Sequence, residues 1–150
     1  MAEEYLDTEA AYEAIRKVVE DEEEPMDHVV LFLKMRVPHY DWVGIYAVDG
    51  KDLVLKTFVG RPTEHIRIPV GEGICGAAVE EEQAIVIQDV LSEPRYIACS
   101  TQTRSEIVVP IFKDEKPVAE IDIDSDTPNA FTDWDREFLE GVARLLAPLF

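Results

Sequence analysis

Residues 8–19 carry their apolar side chains on one stripe: Ala10, Ala11, Ala14, Ile15, Val18 and Val19 return about every fourth position. That period predicts a first helix, with Thr8 as its cap. After the acidic run 20–24, Pro25 suits the first turn of a second helix over 26–36, and Pro38 stops it. From Trp42 the period changes to two. Residues 42–48 read as a strand, Asp49-Gly50 as a turn, and 53–59 as the hairpin partner. A short strand at 66–68, a glycine-rich turn at 71–76, a short helix at 77–82 and a strand at 84–88 follow. Residues 91–104 have no clear period and read as a loop. Two strong strands, 106–112 and 118–124, are joined by a polar turn at 113–116. In the last helix Thr132 and Asp135 resemble a capping box with Asp in place of Glu; Phe138, Leu139, Val142, Leu145 and Leu146 form the apolar stripe. Helices at both ends of a hairpin-linked sheet predict an α+β fold, with a largely antiparallel central sheet and the N- and C-terminal helices packed on it.

Composition narrows the class. A chain of 150 residues, 47% of them hydrophobic, with no repeat or linker, is expected to form one domain over 1–150. Fourteen Lys and Arg against 32 Asp and Glu leave a net charge of −18, which repels nucleic-acid phosphates and anionic membrane surfaces. No apolar run approaches the roughly 20 residues that span a bilayer. The acidic opening, MAEEYLDTEA, lacks the apolar stretch of a secretory signal. With only two cysteines a disulfide scaffold is excluded, and a cytoplasmic protein is expected.

Four constellations could carry chemistry. Gly71-Glu72-Gly73-Ile74-Cys75-Gly76 matches the G-x-G-x-x-G dinucleotide pattern. The helix after it is about two turns, Glu72 would face a pyrophosphate, and the other strands pair as hairpins, so it reads as a tight turn and no cofactor is expected. On strand 118–124, Glu120, Asp122 and Asp124 share one face while Ala119, Ile121 and Ile123 share the other. Matching this apolar face to Ile107, Val109 and Ile111 fixes the register parity and sets Glu106 across from Asp122 or Asp124. The converging carboxylates are either a solvated polar face or a site for an ammonium, a hard metal, or a carboxyl kept protonated by its neighbours. Trp42 and Tyr46 point the same way with Gly44 between them, leaving a hollow between two rings or simply two core aromatics. Cys75 sits in the glycine turn and Cys99 in the aperiodic loop, where exposure and reactivity are favoured.

The stretches Asp41-Trp42-Val43-Gly44 with Tyr46, Arg67-Ile68-Pro69 with the glycine motif, Tyr96-Ile97-Ala98-Cys99, and Arg104-Ser105-Glu106-Ile107-Val108-Val109-Pro110 with Asp122-Ile123-Asp124-Ser125 resemble the free methionine-(R)-sulfoxide reductases. These are GAF-domain enzymes of about this length, and the similarity runs from about residue 40 to the C-terminus. The resemblance implies a GAF-like fold and a set of roles. Cys99 matches the catalytic nucleophile and Cys75 a second, resolving cysteine. Glu106, Asp122 and Asp124 match the acids around the substrate, and Trp42 and Tyr46 its aromatic walls. The implied reaction is reduction of free methionine-(R)-sulfoxide through a cysteine sulfenic acid and a disulfide, recycled by thioredoxin or a similar thiol, with no metal and no cofactor. The family commonly carries a further cysteine ten residues before the Cys75 position, where this chain has His65. Arg95 or Arg104 is expected to offset the carboxylates at Cys99. The alternative is a non-catalytic GAF domain that binds a small ligand and signals through a partner. The apolar N-terminal helices leave a homodimer possible.

Overall fold

The structure, a computed structural model, describes residues 6–97 and 101–150. Helices α1 (Thr8–Asp21) and α2 (Pro25–Arg36) precede strands β1 (Trp42–Asp49), β2 (Asp52–Val59) and β3 (Arg67–Pro69). Helix α3 (Gly73–Glu81) leads to β4 (Ile85–Ile87) and a 3-10 turn at Val90–Ser92. Strands β5 (Ser105–Lys113) and β6 (Lys116–Ser125) and helix α4 (Asp133–Leu146) complete the fold, followed by a 3-10 turn at Ala147–Leu149. The six strands form one antiparallel sheet in the order β3-β2-β1-β6-β5-β4. This is the α+β plan that the two periods predict.

The apolar halves of β1, β5 and β6 lie on one face under the helices. Val43, Ile45, Ile107, Val109, Ile111, Ile121 and Ile123 pack with Ile15, Leu33, Phe138, Leu139 and Val142 in the main core. Helices α1 and α4 meet through the Tyr12 and Phe138 rings, stacked 5.6 Å apart, and Tyr12 donates to the Phe138 carbonyl. The opposite face is covered too. Helix α3 and the ends of β2, β3 and β4 form a second core with Trp42, Tyr46, Leu53, Ile68, Ile74, Ala78, Ile85 and Val108. With α3 over this face, the carboxylates of the middle strands β5 and β6 (Glu106, Glu120, Asp122 and Asp124) lie in the interior.

Some local expectations shift. The α1 cap is Asp7, whose carboxylate accepts from the Ala10 amide at 3.1 Å; Thr8 is the first helical residue. Both types suit the position, and the carboxylate one residue earlier takes it. Helix α3 begins at Gly73, inside the glycine motif, four residues before the expected start. Gly73 has φ +65°, a conformation open to glycine, so the turn tightens and the helix starts early. Gly76 lets that helix pack against the turn: an added Cβ would sit 2.7 Å from the Pro69 carbonyl. The short strands are Arg67–Pro69 and Ile85–Ile87. At α4, Thr132 and Asp135 form the predicted capping box.

Candidate active site

Register places the site. Across β1 and β6, Trp42 pairs with Asp124, Gly44 with Asp122, and Tyr46 with Glu120. Across β5 and β6, Glu106 pairs with Asp124, Val108 with Asp122, and Pro110 with Glu120. The parity argument therefore holds, and Glu106 falls opposite Asp124. These side chains all face the second core. Glu106, Glu120, Asp122 and Asp124 are at most 4% exposed.

Beneath α3 lies a small cavity lined by Tyr46, His65, Ile68, Gly73, Ile74, Cys75, Ile97, Glu106 and Asp122. Helix α3 supplies Cys75, whose thiol donates to Asp122 Oδ2 at 3.2 Å. The loop after β2 supplies His65, and its backbone carbonyl accepts from the Tyr46 hydroxyl at 2.7 Å. Trp42 and Asp124 lie one step along the same sheet face, outside the cavity lining. Between Trp42 and Tyr46 there is no hollow. The Trp42 ring lies over Gly44, so an added Cβ there would run into it, and the ring also stacks on Phe58 at 5.6 Å. Glycine at 44 makes room for the indole itself. The indole nitrogen donates to the Arg61 carbonyl at 2.9 Å, and the Arg61 guanidinium grips Asp126. The 60–66 loop is thus fastened to β1 twice and to the chain beyond β6 once. The sequence pattern gives no sign of Arg61 or Ile97, because both stand in aperiodic segments.

Burial sets the protonation of the cluster. It pushes the carboxyls of Glu120 and Asp124 well above the ordinary carboxylate range, and the Asp122 charge pushes both further. Burial raises Asp122 as well. The Cys75 thiol is raised strongly, first by burial and then by Asp122, Glu120 and Glu106. Burial and mutual repulsion thus bias Glu120, Asp122 and Asp124 toward the protonated form. Such a cluster can donate a proton or bind a cation.

Cys99 lies outside the described residues. Of the two arginines expected to offset its surroundings, Arg95 pairs with Glu93 and Glu81 on the surface, and Arg104 donates to the Thr101 and Thr103 carbonyls.

A curled antiparallel sheet with a small polar cavity under a short helix is a GAF architecture, and the chain belongs to the GAF domain family, whose profile matches residues 9–148. Its relatives within that family include reductases. It is 38% identical to the free methionine-R-sulfoxide reductase of Escherichia coli over 114 residues, covering 76% of this chain and 67% of that protein. The type II free methionine-R-sulfoxide reductase of Thermoplasma acidophilum superposes with a TM-score of 0.82 at 40% identity, covering 93% of this chain and 94% of the other. The reductase of Neisseria meningitidis, solved in complex with its substrate, superposes with a TM-score of 0.90 at 33% identity, covering 99% and 90%.

Proposed function

We propose that this chain reduces free methionine-(R)-sulfoxide to methionine, with Cys99 as nucleophile and the buried carboxyl cluster as substrate site. The observation that carries the reading is the junction of Glu106 and Asp122 with a thiol and Tyr46 around one small cavity. Ile97 lines that cavity, and Cys99 follows it by two residues. The reductase relatives favour this reading over a non-catalytic sensor.

In the proposed chemistry the Cys99 thiolate attacks the sulfoxide sulfur. A carboxyl of the cluster protonates the sulfoxide oxygen, and the hydroxyl passes to the Cys99 sulfur as its bond to the methionine sulfur breaks, leaving Cys99 sulfenic acid and methionine. Asp124, whose carboxyl burial raises well above the ordinary carboxylate range, is assigned that role. The Cys75 thiol then condenses with the sulfenic acid, giving a Cys75–Cys99 disulfide and water, and a dithiol such as thioredoxin restores both thiols. Glu106 and Asp122 hold the free α-ammonium, with Tyr46 walling the cavity and Trp42 buttressing it. The deciding experiment is NADPH-coupled turnover with thioredoxin and thioredoxin reductase on the separated epimers. Turnover is expected with the free R epimer only, and N-acetyl-methionine-(R)-sulfoxide is expected to be inert. No rate above blank for the free R epimer would end the proposal; comparable kcat/KM for the acetylated compound would end the ammonium assignment.

A further inference from the structure

The Cys75 sulfur and one oxygen each from Glu106 and Asp122 lie within 4.8 Å of one another, and all three residues are buried. Asp122 is 1% exposed and faces the cavity; its Oδ2 takes the Cys75 thiol hydrogen bond while its Oδ1 has no partner. No lysine or arginine is among the residues lining this cavity. Arg61 acts on Asp124 from a distance but commits its guanidinium to Asp126. From this donor set we propose that Cys75, Glu106 and Asp122 form a reversible binding site for Zn²⁺ or a similarly thiophilic divalent cation, which shuts the cavity to substrate.

The geometry is close to what such an ion needs. With Zn–S near 2.3 Å and Zn–O near 2.1 Å, tetrahedral ligands stand roughly 3.4–3.6 Å apart. The present spread closes by about 1 Å, within reach of side-chain torsions in Glu106 and Asp122. The acid cluster read alone suits a hard cation, but the sulfur changes the class. Thiolate selects Zn²⁺, Cd²⁺ or Co²⁺, whereas Mg²⁺ and Ca²⁺ take all-oxygen sets. Binding exchanges one proton: the Cys75 S–H bond breaks, an S–Zn bond forms and the proton goes to solvent, with no electron transferred. The bound ion then occupies the two carboxylates assigned to the substrate ammonium. That competition, unlike the metal site itself, rests on the proposed reductase function.

The test is titration of the reduced, chelator-treated full chain with Co²⁺. The expected result is thiolate-to-cobalt charge-transfer absorption that saturates at one ion per chain, is displaced by Zn²⁺ and is unaffected by excess Mg²⁺. Cys75→Ser should weaken Zn²⁺ binding more than about 100-fold, beyond what loss of an outer hydrogen-bond partner produces. Asp122→Asn, checked for native circular dichroism, should weaken it as well. Cys99→Ser should leave the spectrum unchanged. Absence of the charge-transfer band, its survival in Cys75→Ser, or its loss in Cys99→Ser would overturn the site. In the Cys99→Ser protein, which is expected not to turn over, methionine sulfoxide should raise the apparent Zn²⁺ Kd. Unchanged Zn²⁺ affinity under saturating sulfoxide would overturn the shared occupancy. If calorimetry detects no sulfoxide binding at all, it is the reductase reading that fails, and the cobalt spectrum still decides the metal site.

Discussion

Glu120 stands between Tyr46 on β1 and Pro110 on β5, fully buried, and neither carboxyl oxygen has a hydrogen-bond partner. The Cys75 thiol alongside offsets only part of the burial, because it donates to Asp122. Glu120 does not line the cavity, so its removal tests the fold's electrostatics without removing a proposed substrate contact. A buried polar group left unpaired costs about 1–3 kcal/mol. Methionine has a similar unbranched length and adapts to irregular space. Glu120→Met is therefore expected to stabilise the protein by about 1–3 kcal/mol. At roughly 2–4 °C per kcal/mol for a chain of this size, Tm rises by about 2–12 °C.

The sign with pH follows from linkage. Burial raises the Glu120 carboxyl well above its ordinary value of 4.5, so between that value and the folded one the native state binds more protons than the unfolded state. Stability then falls as pH rises through this window. The advantage of Glu120→Met should be smallest near pH 4.5 and grow toward pH 8. Glu120→Gln should flatten the pH dependence as well, yet gain less, because it keeps an unpaired polar group. Thermal unfolding followed by circular dichroism across pH 4.5–8 measures all three proteins. A Glu120→Met protein less stable than the parent at pH 7.5, or a gap that does not widen with pH, would refute the reasoning.

Asp124→Asn should lower kcat/KM by on the order of 100-fold or more if that carboxyl donates the proton; parent-like kinetics would remove it from the mechanism. Cys75→Ser should release a single equivalent of methionine and then cycle slowly with thioredoxin, while peptide mapping of the oxidised parent should find a Cys75–Cys99 crosslink. Full-rate cycling of Cys75→Ser would make Cys75 structural. Arg61→Ala loosens the 60–66 loop, and since the Arg61–Asp126 pair is about one-third exposed, stability should change by less than about 1 kcal/mol. KM should rise several-fold with kcat nearly unchanged; an unchanged KM would show that the Trp42 and Tyr46 hydrogen bonds hold the loop unaided.

The sheet was readable because its register follows from side-chain parity. Setting Ile107, Val109 and Ile111 level with Ala119, Ile121 and Ile123 put Glu106 opposite Asp122 or Asp124 with no tertiary information needed, and the structure selects Asp124. Parity says nothing about what covers the other face, and so a solvated carboxylate patch and a buried site stayed equally open. The cover comes from α3, which begins at Gly73 because the glycine turn is tighter than its letters show. The Trp42–Tyr46 hollow failed for a related reason. Alternation placed both rings on one face, but a side-chain torsion folds the indole over Gly44. The capping box was local and legible. That Asp135 also accepts from Tyr40 at 2.8 Å and meets His39 at 2.8 Å, across about 95 residues of chain, was not.

The same carboxyls that suit this cavity to an ammonium oppose the thiol chemistry beside it. Asp122, Glu120 and Glu106 raise the Cys75 thiol, and burial raises it further, so at rest Cys75 stays protonated and unreactive. A bound ammonium changes that balance. It partners Glu106 and Asp122, screens their field from Cys75, and favours thiolate only while the cavity is occupied. On the proposed reading, substrate thus supplies part of the positive charge that the described lining lacks. Alkylation of Cys75 by a small electrophile in the Cys99→Ser protein separates the two effects a ligand can have. A ligand that merely fills the cavity slows the reaction, whereas a bound methionine that leaves sulfur accessible and supplies its ammonium lowers the pH at which alkylation reaches half its maximum. An unchanged pH midpoint with methionine bound would place the ammonium elsewhere and leave Cys75 dependent on some other cation.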